Sequence, residues 1–271
     1  MSNETVQEKP QKARLNEGVF AGQFPQAVAS REAEAAMGDV PDERGYYVSR
    51  YDGELYAKVY VRGEGVFSDG SPMVLGEKRY FRVQPIEWYP FAIGEGKGVM
   101  VSRHVLFTCA YDMSGNDWSA SFIRQELQNF ALGCLDARTK SRIVELPLDN
   151  DCEGQEVTLD GRAFFLTPDA APWCLQPVTW DGVFLFSRVE WQGLQSPDRP
   201  FDPTDYAKAM GATVTPVGFG TGWLRTADAT SSRAAVFGLD HLDPSLVSPD
   251  TGREVTSELG VVPVLSVKFN G

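Results

Sequence analysis

Three segments of this chain carry residues equipped for chemistry. The first is Asp149-Asn150-Asp151-Cys152-Glu153-Gly154, closed by Asp160. It sets Asp149, Asp151 and Glu153 at positions one, three and five of an EF-hand-like loop, with Gly154 at six and Asp160 at twelve. Oxygen ligands so spaced converge on a hard cation. Three features argue for an acidic, solvated loop instead. Glu156 fills the eighth position, where an apolar residue is usual; Asp160 is too short to chelate as Glu does; and Pro147 blocks an entering helix. No metal is assigned.

The second and third segments hold the two histidines. His104 sits among Val101, Val105, Leu106 and Phe107, which reads as a core or helix-edge histidine. His241 stands in Asp240-His241-Leu242-Asp243-Pro244, where flanking carboxylates favour the imidazolium, although polar loops of this kind are ordinarily only solvated. Cys109, Cys134, Cys152 and Cys174 are widely spaced, form no CxxC pair and read as reduced, mostly buried thiols. Gly218-Phe219-Gly220-Thr221-Gly222 lacks the lysine and the following helix of a phosphate-binding loop. No serine lies in a nucleophile elbow. No catalytic residue and no cofactor are assigned.

Recognition is better supplied. Between strand candidates, residues 225–258 gather arginine, acid and hydroxyl groups, and exposed loops on a rigid scaffold are where binding concentrates. Arg225, Asp228, Ser231, Arg233, His241 and Asp243 are the candidate ligand contacts. A competing reading holds for Arg225: Trp223 fills the core and Arg225 pairs with an acid such as Glu87. The same alternative applies to Trp118 and Arg124.

The elements that must position these groups follow from local pattern. Val19–Gln26 reads as a strand stopped by Pro25, and residues 31–37 as a short helix ended by Gly38. Tyr46–Val61 alternates around Asp52-Gly53, a hairpin signal; residues 62–78 read as a loop. Strands are expected over 80–89 and 98–102, joined by a turn at Gly94-Glu95-Gly96. Ile123, Leu127, Phe130, Ala131 and Cys134 form one apolar stripe at helical spacing, with Ser119 or Ser121 as cap. Residues 147–181 are irregular, with two short strand candidates. Gly182–Phe186 reads as a buried strand and Ser187–Glu190 as a capping box. Thr204–Gly211 is a short capped helix, and Gly222–Arg225, Ala234–Leu239 and Val261–Phe269 are strand candidates. Strands at both ends with helices between them give an α+β pattern.

The 271 residues carry a net charge of −12, which disfavours nucleic acid and anionic membranes as partners. No run approaches the roughly 20 apolar residues of a membrane span, and the polar start lacks the apolar core of a signal peptide. The cytoplasm is the expected compartment. Residues 1–17 are expected to be disordered or loosely attached, ahead of one domain over 18–271.

The motifs also occur in a recognisable order. It runs Gly22-Gln23-Phe24-Pro25-Gln26, Pro85-Ile86-Glu87-Trp88, Val101-Ser102, then Trp118 through Arg124. Phe184-Leu185-Phe186-Ser187, Thr204-Asp205-Tyr206-Ala207, Trp223-Leu224-Arg225 and Gly260-Val261-Val262-Pro263-Val264-Leu265 follow. This order resembles the DUF6273 family of bacterial and phage proteins, over about residues 18–269. That family is similar in fold to C-type lectin-like domains and to the variable proteins of diversity-generating retroelements. Two departures stand out: Val262 replaces the arginine of the family's closing Gly-Val-Arg-Pro, and Glu126-Leu127-Gln128-Asn129 replaces its Trp-Leu-Asn. The lectin-like calcium motifs are incomplete, because Gln176-Pro177-Val178 lacks the third ligand. The resemblance implies a C-type lectin-like fold, without cofactor, that recognises a protein or other macromolecular ligand through its C-terminal loops. The alternatives are an enzyme of the formylglycine-generating type with a divergent site, and an accessory protein of a phage or mobile element.

Overall fold

A proline inside an apolar alternation ends a strand only where its missing N–H is needed. The computed structural model shows that it is not needed at Pro25. The structure describes residues 18–94, 97–144, 146–148, 156–159, 162–165, 179–187, 201–215, 218–227, 232–238 and 252–268. In it β1 spans Val19–Val28 and runs straight through Pro25, correcting the expected stop. Among the described strands β1 pairs only with β6, in an antiparallel register that shifts between Pro25 and Ala27. Two N–H groups of this edge strand are taken up by carboxylates: Gly22 donates to Asp136 (3.3 Å) and Val28 to Asp205 (3.2 Å). Capping of this kind blunts an edge that would otherwise invite another chain.

The helix α1 (Arg31–Ala35) follows, with the Ser30 hydroxyl accepting from Ala33. Then β2 (Tyr46–Val48) and β3 (Leu55–Tyr60) pair around Asp52-Gly53, where Gly53 takes a left-handed φ of 75° that few side chains tolerate. Within the stretch expected to be all loop, β4 (Gly65–Val66) and β5 (Pro72–Met73) make a small hairpin. The strand β6 is a 17-residue element, Lys78–Gly94, that joins both halves of the predicted 80–89 segment. Its length lets it pair β3 near its start and β7 (Lys97–Ser102) near its end.

The strand β8 (Phe107–Ala110) precedes a 3-10 turn at Trp118–Ala120 and the helix α2 (Phe122–Cys134). Ser121 caps α2, and Ile123, Leu127, Phe130 and Ala131 form its buried stripe. A four-residue helix α3 (Ala137–Lys140) leads to β9 (Leu146–Leu148), β10 (Glu156–Leu159), β11 (Arg162–Phe165) and β12 (Thr179–Asp181). Next come β13 (Val183–Phe184) and α4 (Asp205–Ala209), the latter capped by the Thr204 hydroxyl. The strands β14 (Gly222–Ala227), β15 (Arg233–Phe237), β16 (Arg253–Glu254), β17 (Glu258–Val261) and β18 (Val264–Lys268) complete the chain. The expected capping box at 187–190 extends outside the described residues.

Two sheets hold most of these strands. One has seven, in the order β13-β18-β7-β6-β3-β2 with β1 on β6, and is antiparallel throughout. The other has five, in the order β16-β15-β14-β17-β8, with one parallel pair, β14 and β17. The single strand expected over Val261–Phe269 is therefore two, broken at Val262-Pro263. β17 pairs β8 in the five-stranded sheet, and β18 pairs β7 in the seven-stranded one. Pro263 cannot donate to a ladder, so the chain changes sheets there.

The protein is α+β, with mostly antiparallel sheets and few helices. Its main core joins the two sheets to α2 and buries Trp88, Trp118 and Trp223. Two of the indoles donate inward, Trp88 to the Ala21 carbonyl (2.8 Å) and Trp223 to that of Cys109 (2.9 Å). A buried indole satisfied in this way keeps its packing without an orphaned donor. Among the described residues no helix is long and apolar enough to cross a membrane.

Candidate functional site

The hairpin β14–β15 carries the two described members of the sequence-derived contact set. Arg225 is 1% exposed. Its Nη1 donates to the Leu185 carbonyl (2.7 Å), its guanidinium lies 5.7 Å from the centre of the Phe184 ring, and its own carbonyl accepts from the Tyr111 hydroxyl (3.0 Å). The Glu87 carboxylate suggested as its partner instead receives Arg103 (2.7 Å). Trp223 is core. Arg233 is half-buried, and its Nη2 donates to the Gly252 carbonyl while Asn116 Nδ2 donates to the Arg233 carbonyl (2.8 Å). It thus fastens β15 to the chain entering β16. Trp118 is likewise buried, and Arg124 Nη1 folds back onto the Ser119 carbonyl (2.8 Å).

Asp228, Ser231, His241 and Asp243 lie outside the described residues. So do Cys152, Cys174 and the metal-like positions 149–155 and 160. Residues 228–231 follow Ala227, beside the paired Ala234, whereas residues 239–251 depart after Gly238, beside Gly222 at the other end. Ala227 and Gly238 thus stand at opposite ends of the hairpin.

A second surface emerges only in three dimensions. A cleft of about 1190 Å³ runs between the β4–β5 hairpin and the segment 202–219 of the last third. Its lining is apolar at Val66, Met73, Val214 and Phe219 and polar at Gln26, Gln84, His104 and Asp202. Glu64 and Lys208 stand on its rim. The walls are held together by Asp205, 4% exposed at the start of α4. Its carboxylate accepts from Ser68 N (2.8 Å), Ser68 Oγ (2.5 Å) and Val28 N (3.2 Å), and Lys208 Nζ lies 3.4 Å away. One side chain thus ties β1, the hairpin and α4 to one another.

His104 is half-buried on this cleft, with Nδ1 3.2 Å from the Asp202 carbonyl oxygen. Burial pulls its pKa below the ordinary histidine value, partly opposed by that backbone contact. The imidazole is therefore neutral at pH 7, and Nδ1–H donating to the carbonyl leaves Nε2 as an acceptor. The sequence reading of a satisfied, apolar-packed histidine missed its place on the cleft. The available signal was its position directly after the buried strand end Val101-Ser102, where a chain turns to the surface.

Chemically the cleft offers carboxylates, a neutral imidazole and amide groups together with apolar side chains, while its lysine faces Asp205. It suits a ligand that brings donors or positive charge together with an apolar group. Among the described residues no group of three or more His, Cys, Asp or Glu side chains is placed to hold a metal ion. Comparison of the chain with known protein families, with characterised proteins and with solved structures yields no match.

Proposed function

We propose that this protein is a non-catalytic recognition domain, with a C-type lectin-like fold and kinship to the DUF6273 proteins, acting in the cytoplasm. The observation that carries the reading is the cleft between the β4–β5 hairpin and segment 202–219, a concave surface held by the buried Asp205. Its ligand is a protein segment bearing a basic group beside an apolar one, drawn by Glu64 and Asp202 and by the net charge of −12. Segment 202–219 precedes the loops of residues 225–258 from which the sequence leads one to expect recognition, so this reading moves the contact upstream of them. Asp228, Ser231, His241 and Asp243 remain a separate candidate contact set in this proposal, with Arg225 and Arg233 anchoring the strands β14 and β15.

The test is affinity capture from source-cell extract, comparing wild type with a Glu64→Lys, Val214→Glu variant of unchanged melting temperature. Both positions are exposed, so the fold tolerates the change. A partner retained by wild type and lost by the variant supports the cleft. Equal retention refutes it, and loss confined to an Asp228→Arg, Asp243→Arg variant moves the contact to the hairpin connections. No partner for any of them refutes macromolecular recognition.

A further inference from the structure

The outer face of β2, β3 and β6 concentrates positive charge and tyrosine on an otherwise acidic protein. The register sets Lys58 opposite Tyr80, Tyr60 opposite Lys78 and Tyr47 opposite Tyr56, so these side chains share one face of the sheet. Lys58 and Lys78 are diagonal neighbours across the β3–β6 pair, with backbone positions on the order of 7–8 Å apart. The Lys58 ammonium sits 4.8 Å from the centre of the Tyr47 ring, and that of Lys78 sits 5.5 Å from Tyr80. The two rings meet edge to face at 5.6 Å. Between these groups and α1 lies a concavity of about 400 Å³.

Two carboxylates line the same concavity, and neither neutralises the lysines. Glu34 accepts from Arg79 Nε (2.8 Å) and from Tyr80 N (3.3 Å), so its charge is matched by the buried guanidinium. Asp39 is almost fully exposed and stands 4.0 Å from Arg50. Among the described residues neither Lys58 nor Lys78 forms an ion pair. The neighbouring Tyr47 holds the Lys58 pKa above the usual lysine value. Two ammonium groups on flexible stems, with phenol hydroxyls beside them, match the charge and hydrogen-bonding needs of one phosphate dianion.

We propose that the concavity between α1 and the β3–β6 face binds a phosphate group, held between Lys58 and Lys78 with the Tyr47 hydroxyl as a further donor. The exposed Tyr60 ring beside Lys78 offers a platform for the organic part of a phosphate ester. This site is separate from the cleft and independent of the recognition reading.

The experiment is a titration of the ¹⁵N-labelled protein with inorganic phosphate and with AMP, at fixed ionic strength. Wild type is compared with Lys58→Met, Lys78→Met, which keeps the stems, and with Lys58→Arg, Lys78→Arg, which keeps the charge. Saturable shifts at residues 47, 58 and 78 are expected, with the dissociation constant raised about tenfold or more in the Met variant and restored in the Arg variant. Tighter binding of AMP with shifts at Tyr60 identifies an ester as the ligand; equal binding identifies phosphate itself. Shifts that never saturate, or an unchanged constant in the Met variant, overturn the proposal. If the Met variant loses its fold, Tyr47→Phe carries the same test through the hydroxyl alone.

Discussion

Asp205→Asn isolates what one buried carboxylate does for the cleft. The side chain keeps its shape, and Oδ1 can still accept from Ser68 N (2.8 Å). The new amide nitrogen then replaces Oδ2, which accepts from Val28 N (3.2 Å) and Ser68 Oγ (2.5 Å). The Ser68 hydroxyl can turn and accept from the amide. The Val28 N–H cannot, so it faces a second donor. Stranding a partly buried backbone donor costs about 1–3 kcal/mol, and loss of charge in the remaining short contacts adds about 1 kcal/mol. The sum, about 2–4 kcal/mol, lowers the melting temperature by roughly 5–12 °C in a chain of this size. Urea unfolding followed by tryptophan fluorescence measures the free energy. Hydrogen exchange at Val28 and Ser68 reports the local opening. Ser68→Ala, which removes one hydroxyl, costs about 1 kcal/mol, and the double variant is less than additive because both changes act on one cluster. A wild-type stability for Asp205→Asn, within about 0.5 kcal/mol, refutes the argument that this carboxylate fastens β1, the hairpin and α4 together.

Two further outcomes are expected. His104, with its pKa depressed by burial, titrates by imidazole NMR below the ordinary 6.5; the unfolded chain then binds more protons, so its stabilisation is complete above that pH and is lost as pH falls through the depressed midpoint. His104→Gln identifies the resonance and removes this slope, and a midpoint at or above 6.5 refutes the assignment. Gly222→Ala places a Cβ 2.5 Å from the Gly260 carbonyl and the Phe237 ring, at the only paired residues of the parallel β14–β17 contact. It destabilises by about 1–3 kcal/mol through overpacking, whereas Gly115→Ala, with open space around its Cβ, stays near wild type in the same melting measurement.

Elements specified within a few residues were legible. Asp52-Gly53 gives a turn because glycine takes the positive φ, and α2 follows from apolar residues returning every three to four positions. Where pairing partners are remote, legibility ended. Pro25 looked like a stop, but β1 lies at an edge where one missing donor is tolerated. Val261–Phe269 looked like one strand, because nothing in the run says that each half belongs to a different sheet. Arg225 was placed both on a ligand surface and in the interior; the structure sets it against Leu185 and Phe184, forty residues away in sequence. Of the cleft, only the capped helix at Thr204 was visible beforehand.

The sequence by itself determined the α+β class, the hairpin at Asp52-Gly53, the amphipathic α2 and the acidic surface, since each rests on composition or on neighbours along the chain. Only the tertiary structure decided that Asp205 would receive Val28 and Ser68, that His104 would face Asp202, and that Lys58 and Lys78 would share a face with Tyr47. The reason is the range of the forces involved. Turn and helix preferences act over a few bonds, whereas a cleft is made of side chains that only the pairing of distant strands and the burial of a common core bring within hydrogen-bond reach.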